Sequence, residues 1–256
     1  MKPTENATNQ LFSQNMYAHP EWQKFWALMT EAGMGAVKIT LAWQLLMKGL
    51  ETEENLLRTG QANNDNNPEY KALAKLFGEE LKIDPGTSLA LWSGGFAVSQ
   101  YARKKGHTSL EFTKAGKAID QLEFHREWKL QAPLWNALSR AFVHQPSPNV
   151  HIYIRAWQPE SVLIRQEVPG LREVRALLGA TRLHWHALFT DGKDVTKEIT
   201  HDGRLVDEYS FPQRDLCVAA LCKYLTYINE DPGSRAAKEM KALLEDNYRK
   251  ANKVTR

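Results

Sequence analysis

Ser88-Leu89-Ala90-Leu91-Trp92-Ser93-Gly94-Gly95 begins the part of this chain in which short apolar runs alternate with helical patterns. Ser88 to Leu91 reads as a buried strand ending against an aromatic residue, and Ser-Gly-Gly reads as a turn into a helix over Gly95 to Lys105, closed by Gly106. Such a turn leaves backbone N–H groups at a helix N-terminus, where a diphosphate can sit. Taken alone the pattern is common and usually structural.

Outward from this stretch the chain differs on its two sides. Upstream, Trp22, Phe25, Trp26 and Met29 fall at helical spacing after Pro20, Val37 to Leu50 continues as a second helix, and Asn67-Pro68-Glu69 starts a third that runs through Leu81. Downstream, Pro133 to His144 reads as a helix, whereas Val150 to Trp157, Val162 to Val168 and Leu183 to Phe189 read as strands. The tail reads as helical over Asp215 to Asn229 and Ser234 to Arg249. These readings predict a helical portion over residues 1–84 and, over 85–256, an α/β portion built on a small, mostly parallel, Rossmann-like sheet with flanking helices.

Composition narrows the function. The 256 residues suffice for one large domain or two small ones, and a formal charge of +3 with interspersed signs is no nucleic-acid footprint. Cys217 and Cys222 are the only cysteines and build no disulfide framework, which suggests a reducing compartment. Residues 1–15 lack the pattern of a secretory signal, and the apolar stretch Ala27 to Met47 is broken by charges and glycines, against a membrane span. A soluble, cytoplasmic protein is the expectation.

Four motifs, in order, carry chemistry: Leu91-Trp92-Ser93; Leu110-Glu111 with Thr113 and Gly116; Trp135 with Ser139 and Phe142; and Glu167 followed by Val168 and Leu171. In this order and spacing they resemble the ADP-ribosyl cyclase and cyclic ADP-ribose hydrolase family, the NAD glycohydrolases. The resemblance covers about residues 85–190 and is most specific in the second and third motifs. It implies that Trp92 and Trp135 flank the nicotinamide end of NAD, that Ser139 supports the reacting ribose and phosphate, and that Glu167 is the catalytic carboxylate. It further implies that Glu111 influences whether water or the substrate's own adenine meets the intermediate, and that Ser93 lies near the diphosphate. Thr113 and Phe142 complete the substrate-binding set. NAD is then the substrate, and no further cofactor or metal is implied. The sequence departs from the family's animal members in lacking their disulfides and in placing Gly94 where they carry a basic residue, so that diphosphate binding would lean on backbone N–H groups, Arg140 or Arg155.

The chemistry suits those residues. Cleavage of a nicotinamide-ribosyl bond passes through an oxocarbenium-like state that a neighbouring carboxylate stabilises, and indole faces hold a cationic ring with something like 0.5 to 2 kcal/mol each. An enzyme that consumes NAD in a cytosol harms its host unless restrained, which suggests a toxin or effector delivered into a target cell, with a neutralising immunity protein as partner. Bland readings stand beside these: Trp92 as core, Glu167 as a solvated strand-end acid, Glu111 as a surface acid, Ser139 as helix packing. Ser139 lacks the Gly-x-Ser-x-Gly surroundings of a hydrolase nucleophile. His184 and His186 share a strand face, but no third metal ligand of suitable spacing follows. On the bland readings the chain is a non-enzymatic interaction module.

Overall fold

The computed structural model describes residues 16–61, 66–123, 128–156, 158, 160–173, 182–191 and 194–204, and isolated positions from 225 to 242. The helices expected at Asp215 to Asn229 and Ser234 to Arg249, with Cys217 and Cys222, lie largely or wholly outside the described residues. The chain forms two compact units: residues 1–82 with 110–145, and residues 83–109 with 146–256. The division expected from the sequence was a single one, between residues 84 and 85; the chain passes between these units after Lys82, after Ser109 and after Gln145.

The first unit is helical. Its elements are α1 (Glu21–Glu31), α2 (Ala36–Arg58) and α3 (Pro68–Phe77), followed by a 3-10 turn at Gly78–Leu81. Phe25 and Met29 of α1 are fully buried, and Trp22, Phe25 and Trp43 pack ring on ring at 5.1 to 6.5 Å. Asn67 caps α3 by accepting from the Tyr70 amide at 3.0 Å and ties it to α2 by donating to Glu53 at 2.8 Å and to the Gly49 carbonyl at 3.1 Å. The Tyr70 ring occupies the space that a side chain at position 49 would need, which is why glycine stands there. A second 3-10 turn (Leu110–Phe112), α5 (Lys114–Asp120) and α6 (Trp128–Val143) complete the unit, with α6 against α2 and α3 and α5 against α1. Helix α6 begins one turn and more before Pro133, where the sequence suggested its start; an interior proline costs about 3 kcal/mol, and the burial of Leu130, Pro133, Leu134 and Leu138 offsets it.

The second unit is a five-stranded sheet of order β2-β1-β3-β4-β5, from β1 (Ser88–Ser93), β2 (His107–Thr108), β3 (Asn149–Ile154), β4 (Arg182–Asp191) and β5 (Asp194–Arg204). Strands β2, β1, β3 and β4 are parallel and β5 is antiparallel to β4, so the expected mixed α/β architecture with a mostly parallel sheet is present. Leu89, Leu91, Val150, Ile152, Leu183 and Trp185 bury one face. On the other, α4 (Phe96–Lys104) sets Val98 and Ala102 against Ala90, Tyr153 and Leu188.

One expected strand is a helix. Leu163–Glu167 is a π-helical turn that runs into α7 (Val168–Glu173). Pro169 has no N–H to donate to Arg165 and its ring would crowd that carbonyl, so the chain widens by one residue just before it and the Val168 amide reaches the Leu163 carbonyl instead. An apolar run of this length fits a strand or a buried helix equally well, and periodicity does not separate them.

Candidate functional site

The chain leaves β1, returns through α4 to β2 on one side of it, and later enters β3 on the other side. In open parallel sheets that reversal leaves a crevice beyond the carboxyl ends of the two central strands, the general place for ligands. Trp92 and Ser93 stand at that end of β1, paired with Tyr153 and Ile154 of β3.

The backbone there is tied tightly. Buried Ser93 donates its hydroxyl to the Ala156 carbonyl at 3.0 Å, and the Arg155 amide donates to the Ser93 carbonyl at 3.0 Å. Gly94 and Gly95 follow with φ of 111° and 103°. A Cβ on Gly94 would come within 2.7 Å of the Ala156 nitrogen, so a basic side chain has no place at this position. Arg155 is the cation beside it, with its Nε donating to Thr190 at 2.8 Å. Asn229 joins the ends of β3 and β4: its amide donates to the Arg155 carbonyl at 2.8 Å and the Leu188 carbonyl at 2.9 Å, and its oxygen accepts from the Thr190 amide at 2.8 Å. Trp92 is half-buried and packs against the Ala90, Val98 and Tyr153 cluster.

Glu167 is the last residue of the π-helical turn and only 6% exposed, and that turn packs against β1. The solvated strand-end reading of Glu167 is therefore corrected: the residue is helical and buried. A carboxylate is held out of water at this density only where its surroundings repay the desolvation, and π-turns recur at functional sites. In the second unit Trp92 and Ser93 thus stand on the strand against which the turn carrying Glu167 packs.

The first unit carries the remainder. Thr113 caps α5 by accepting from the Gly116 amide at 3.0 Å while donating to the Leu110 carbonyl at 2.7 Å. A Cβ on Gly116 would run into that same carbonyl. Leu-Glu-x-Thr-x-x-Gly is thus a self-closed turn in which Thr113, 3% exposed, and Gly116 have structural work, and half-buried Glu111 is the side chain it presents. The 3-10 turn carrying Glu111 packs against α6, on which Trp135, Ser139 and Phe142 share one face at spacings of four and three. Phe142 is fully enclosed in the core and Ser139 is 3% exposed, whereas Trp135 is half-buried.

Trp135 also lines a cleft of about 480 Å³, open solvent included, whose walls are Leu46, Leu50, Leu130 and Tyr70 with Asp120 and Gln131 as polar members. Burial pushes the Asp120 carboxyl above its ordinary range. Burial, with Glu53, Glu54 and Glu69 nearby, pushes the Tyr70 phenol far above its own. Neither residue stood out in the sequence, because an acid at the end of one helix and a tyrosine in the first turn of another carry no spacing signal.

His184 and His186, which the sequence paired, lie in a larger group. With His107, His151, Tyr153 and Glu198 they occupy the α4 side of the sheet. Among the described residues no group of three or more His, Cys, Asp or Glu side chains is arranged to hold a metal ion, and here the rings stack on one another rather than converging. Among the described residues no helix is long and apolar enough to cross a membrane.

No family model, no curated protein and no solved structure matches the chain.

Proposed function

We propose that this protein cleaves the nicotinamide-ribosyl bond of NAD, releasing nicotinamide and ADP-ribose, with cyclic ADP-ribose formed where the adenine reaches the ribosyl carbon before water. The observation that carries the reading is a buried carboxylate, Glu167, on a π-helical turn packed against the strand that ends in Trp92-Ser93-Gly94-Gly95. At that strand end the chain turns to strands on either side of β1 in a mostly parallel sheet, the kind of place where ligands bind in open parallel sheets. Together with the motif resemblance to the ADP-ribosyl cyclase family, it supports Glu167 as the group that stabilises the oxocarbenium-like state. Within the second unit Trp92 holds the pyridinium ring on this reading; the roles of Trp135, Ser139 and Glu111, which belong to the first unit, rest on the motif resemblance alone. Gly94 and Gly95 offer backbone N–H groups to the diphosphate, with Arg155 as the nearby cation. Thr113 and Phe142 serve these residues from behind, by shaping the Glu111 turn and by anchoring α6.

On this reading the chain depletes NAD in the cytosol of a cell that receives it, and a neutralising immunity protein protects the producer. Growth arrest on induction, relieved by Glu167→Gln, is the expected cellular result. The direct test is nicotinamide release from NAD by the purified chain. Release by the parent and none by Glu167→Gln supports the assignment; equal release by both removes Glu167 from it, and no release by the parent at high concentration removes the enzyme reading. A second reading, a non-catalytic interaction module, draws on the structural work done by Thr113, Gly116 and Phe142, since those motif positions have a reason to exist without a substrate.

A further inference from the structure

The imidazole group on the second unit's sheet is independent of the residues assigned to NAD. His107 of β2 stacks on His151 of β3 with ring centres 3.5 Å apart, and His151 stacks on His184 of β4 at 4.5 Å. The Nδ1 of His151 lies 2.9 Å from the Nε2 of His186, whose Nδ1 lies 2.6 Å from Glu198 of β5. Glu198 also accepts from Tyr101 of α4 at 2.5 Å and pairs with Lys105, just beyond α4, at 2.9 Å. His107 bonds the Tyr153 hydroxyl at 2.7 Å, and His184 donates to Asn149 at 3.0 Å. Strand β1 places Ala90 and Trp92 on this face, neither titratable.

Counting protons on these bonds gives a limit. Glu198 requires a proton on the Nδ1 of His186. The His151–His186 bond then needs one proton between its two nitrogens, so the neutral pair satisfies it, and so does the pair carrying one extra proton beside the carboxylate. A second extra proton puts N–H against N–H across 2.9 Å and breaks the bond. His107 has a similar limit: Tyr153 is fully buried, and His107 is the hydrogen-bond partner of its hydroxyl among the described residues. A proton on the Nδ1 of His107 displaces the hydroxyl hydrogen and sets a cation against the face of His151.

We propose that this array is an acid-sensitive latch: at neutral pH the stacked rings bind β2, β3 and β4 together across their side chains, and further protonation breaks the bonds and loosens the sheet of the second unit. The electrostatics run the same way. Burial lowers the His107 pKa to about 4, with His186 and His184 adding to the effect, and burial lowers that of His186 even though Glu198 opposes it. A base whose pKa is lowered in the folded state binds more protons unfolded, so stability is full above the ordinary imidazole value and falls as pH drops from there toward about 4.

Hydrogen exchange of the full chain at about pH 7.5 and about pH 5, corrected for intrinsic rates, tests this. Residues 149–154 and 182–191 should lose protection on the order of tenfold at the acid pH relative to residues 68–77 of the first unit. No loss, or an equal loss in both segments, overturns the latch. His107→Phe keeps the stacked ring without a titrating group and should shrink the acid loss. If that variant does not fold, the imidazole resonances of the parent decide: rings that all titrate at the free-histidine value overturn the proposal, and ring resonances displaced downward in pH support it.

Discussion

Ser93 donates its hydroxyl to the carbonyl of Ala156, a residue beyond the end of the neighbouring strand, and so closes the carboxyl edge of β1 onto the segment that follows β3. The position that the motif resemblance sets near a diphosphate is thus one whose hydroxyl already has a partner. Ser93→Ala should cost about 1 kcal/mol of stability, the worth of a buried hydrogen bond, measured by denaturant unfolding. Gly94→Ala should cost more, about 1 to 3 kcal/mol, because it combines a positive φ with a close approach to Ala156. If Ser93→Ala leaves stability unchanged, the hydroxyl's place is with the ligand.

The Glu111 turn separates motif from chemistry. Thr113→Ser should leave stability and nicotinamide release near the parent, whereas Thr113→Val should lose about 1 kcal/mol through the missing cap. Gly116→Ala should lose about 3 kcal/mol or more, since its methyl meets the Leu110 carbonyl. A Thr113→Val variant as stable as the parent but deficient in substrate binding would instead put the hydroxyl on the substrate. Thermal unfolding beside a release assay reads both quantities.

Glu198 predicts the shape of the acid limb. Burial alone would raise its pKa, but hydrogen bonds from Tyr101, Lys105 and His186 prevail and hold the carboxyl at about 2. A depressed carboxyl pKa stabilises the fold above the unfolded value of 4.5, and that contribution disappears as pH falls from there through about 2. Glu198→Gln should therefore lower stability at neutral pH and flatten the loss between these two values. Equal slopes for the two proteins, in denaturant midpoints taken across that range, would show that the three donors do little.

Tyr70 gives a prediction of opposite sign. Its hydroxyl is buried and has no hydrogen-bond partner among the described residues. Tyr70→Phe should raise the unfolding free energy by about 1 kcal/mol, because an unsatisfied polar group is removed while the ring keeps its place over Gly49. A loss of stability would mean that the hydroxyl holds a water or a cleft ligand.

What could be read from residues alone follows the range of the interactions that decide it. Asn67-Pro68 announced a helix start because capping is local, and Ser88 to Leu91 announced a strand because an apolar run before Gly-Gly has few other uses. Glu167 was singled out by motif but placed in a strand, because the choice between strand and helix in Val162 to Val168 rests on Pro169 and on packing. Strand β5 went unseen because it is polar and gains its place only by pairing with β4. The imidazole stack was visible only as His184 and His186; its other rings come from a two-residue strand and from β3, and only the parallel register joins them. The assignment of residues 110–145 to the helical unit depends on contacts distant in sequence, which no local pattern encodes.

The same interrupted connectivity sets an order of events during synthesis. Helices α1 to α3 leave the ribosome without α5 and α6, and between the two groups comes the segment that contains β1, α4 and β2. The helical unit therefore closes only after residue 145 has emerged, at a moment when β1 still lacks β3 and presents an unpaired strand edge. The nascent chain is most prone to association in that interval, and an early stop between residues 110 and 145 leaves neither unit complete.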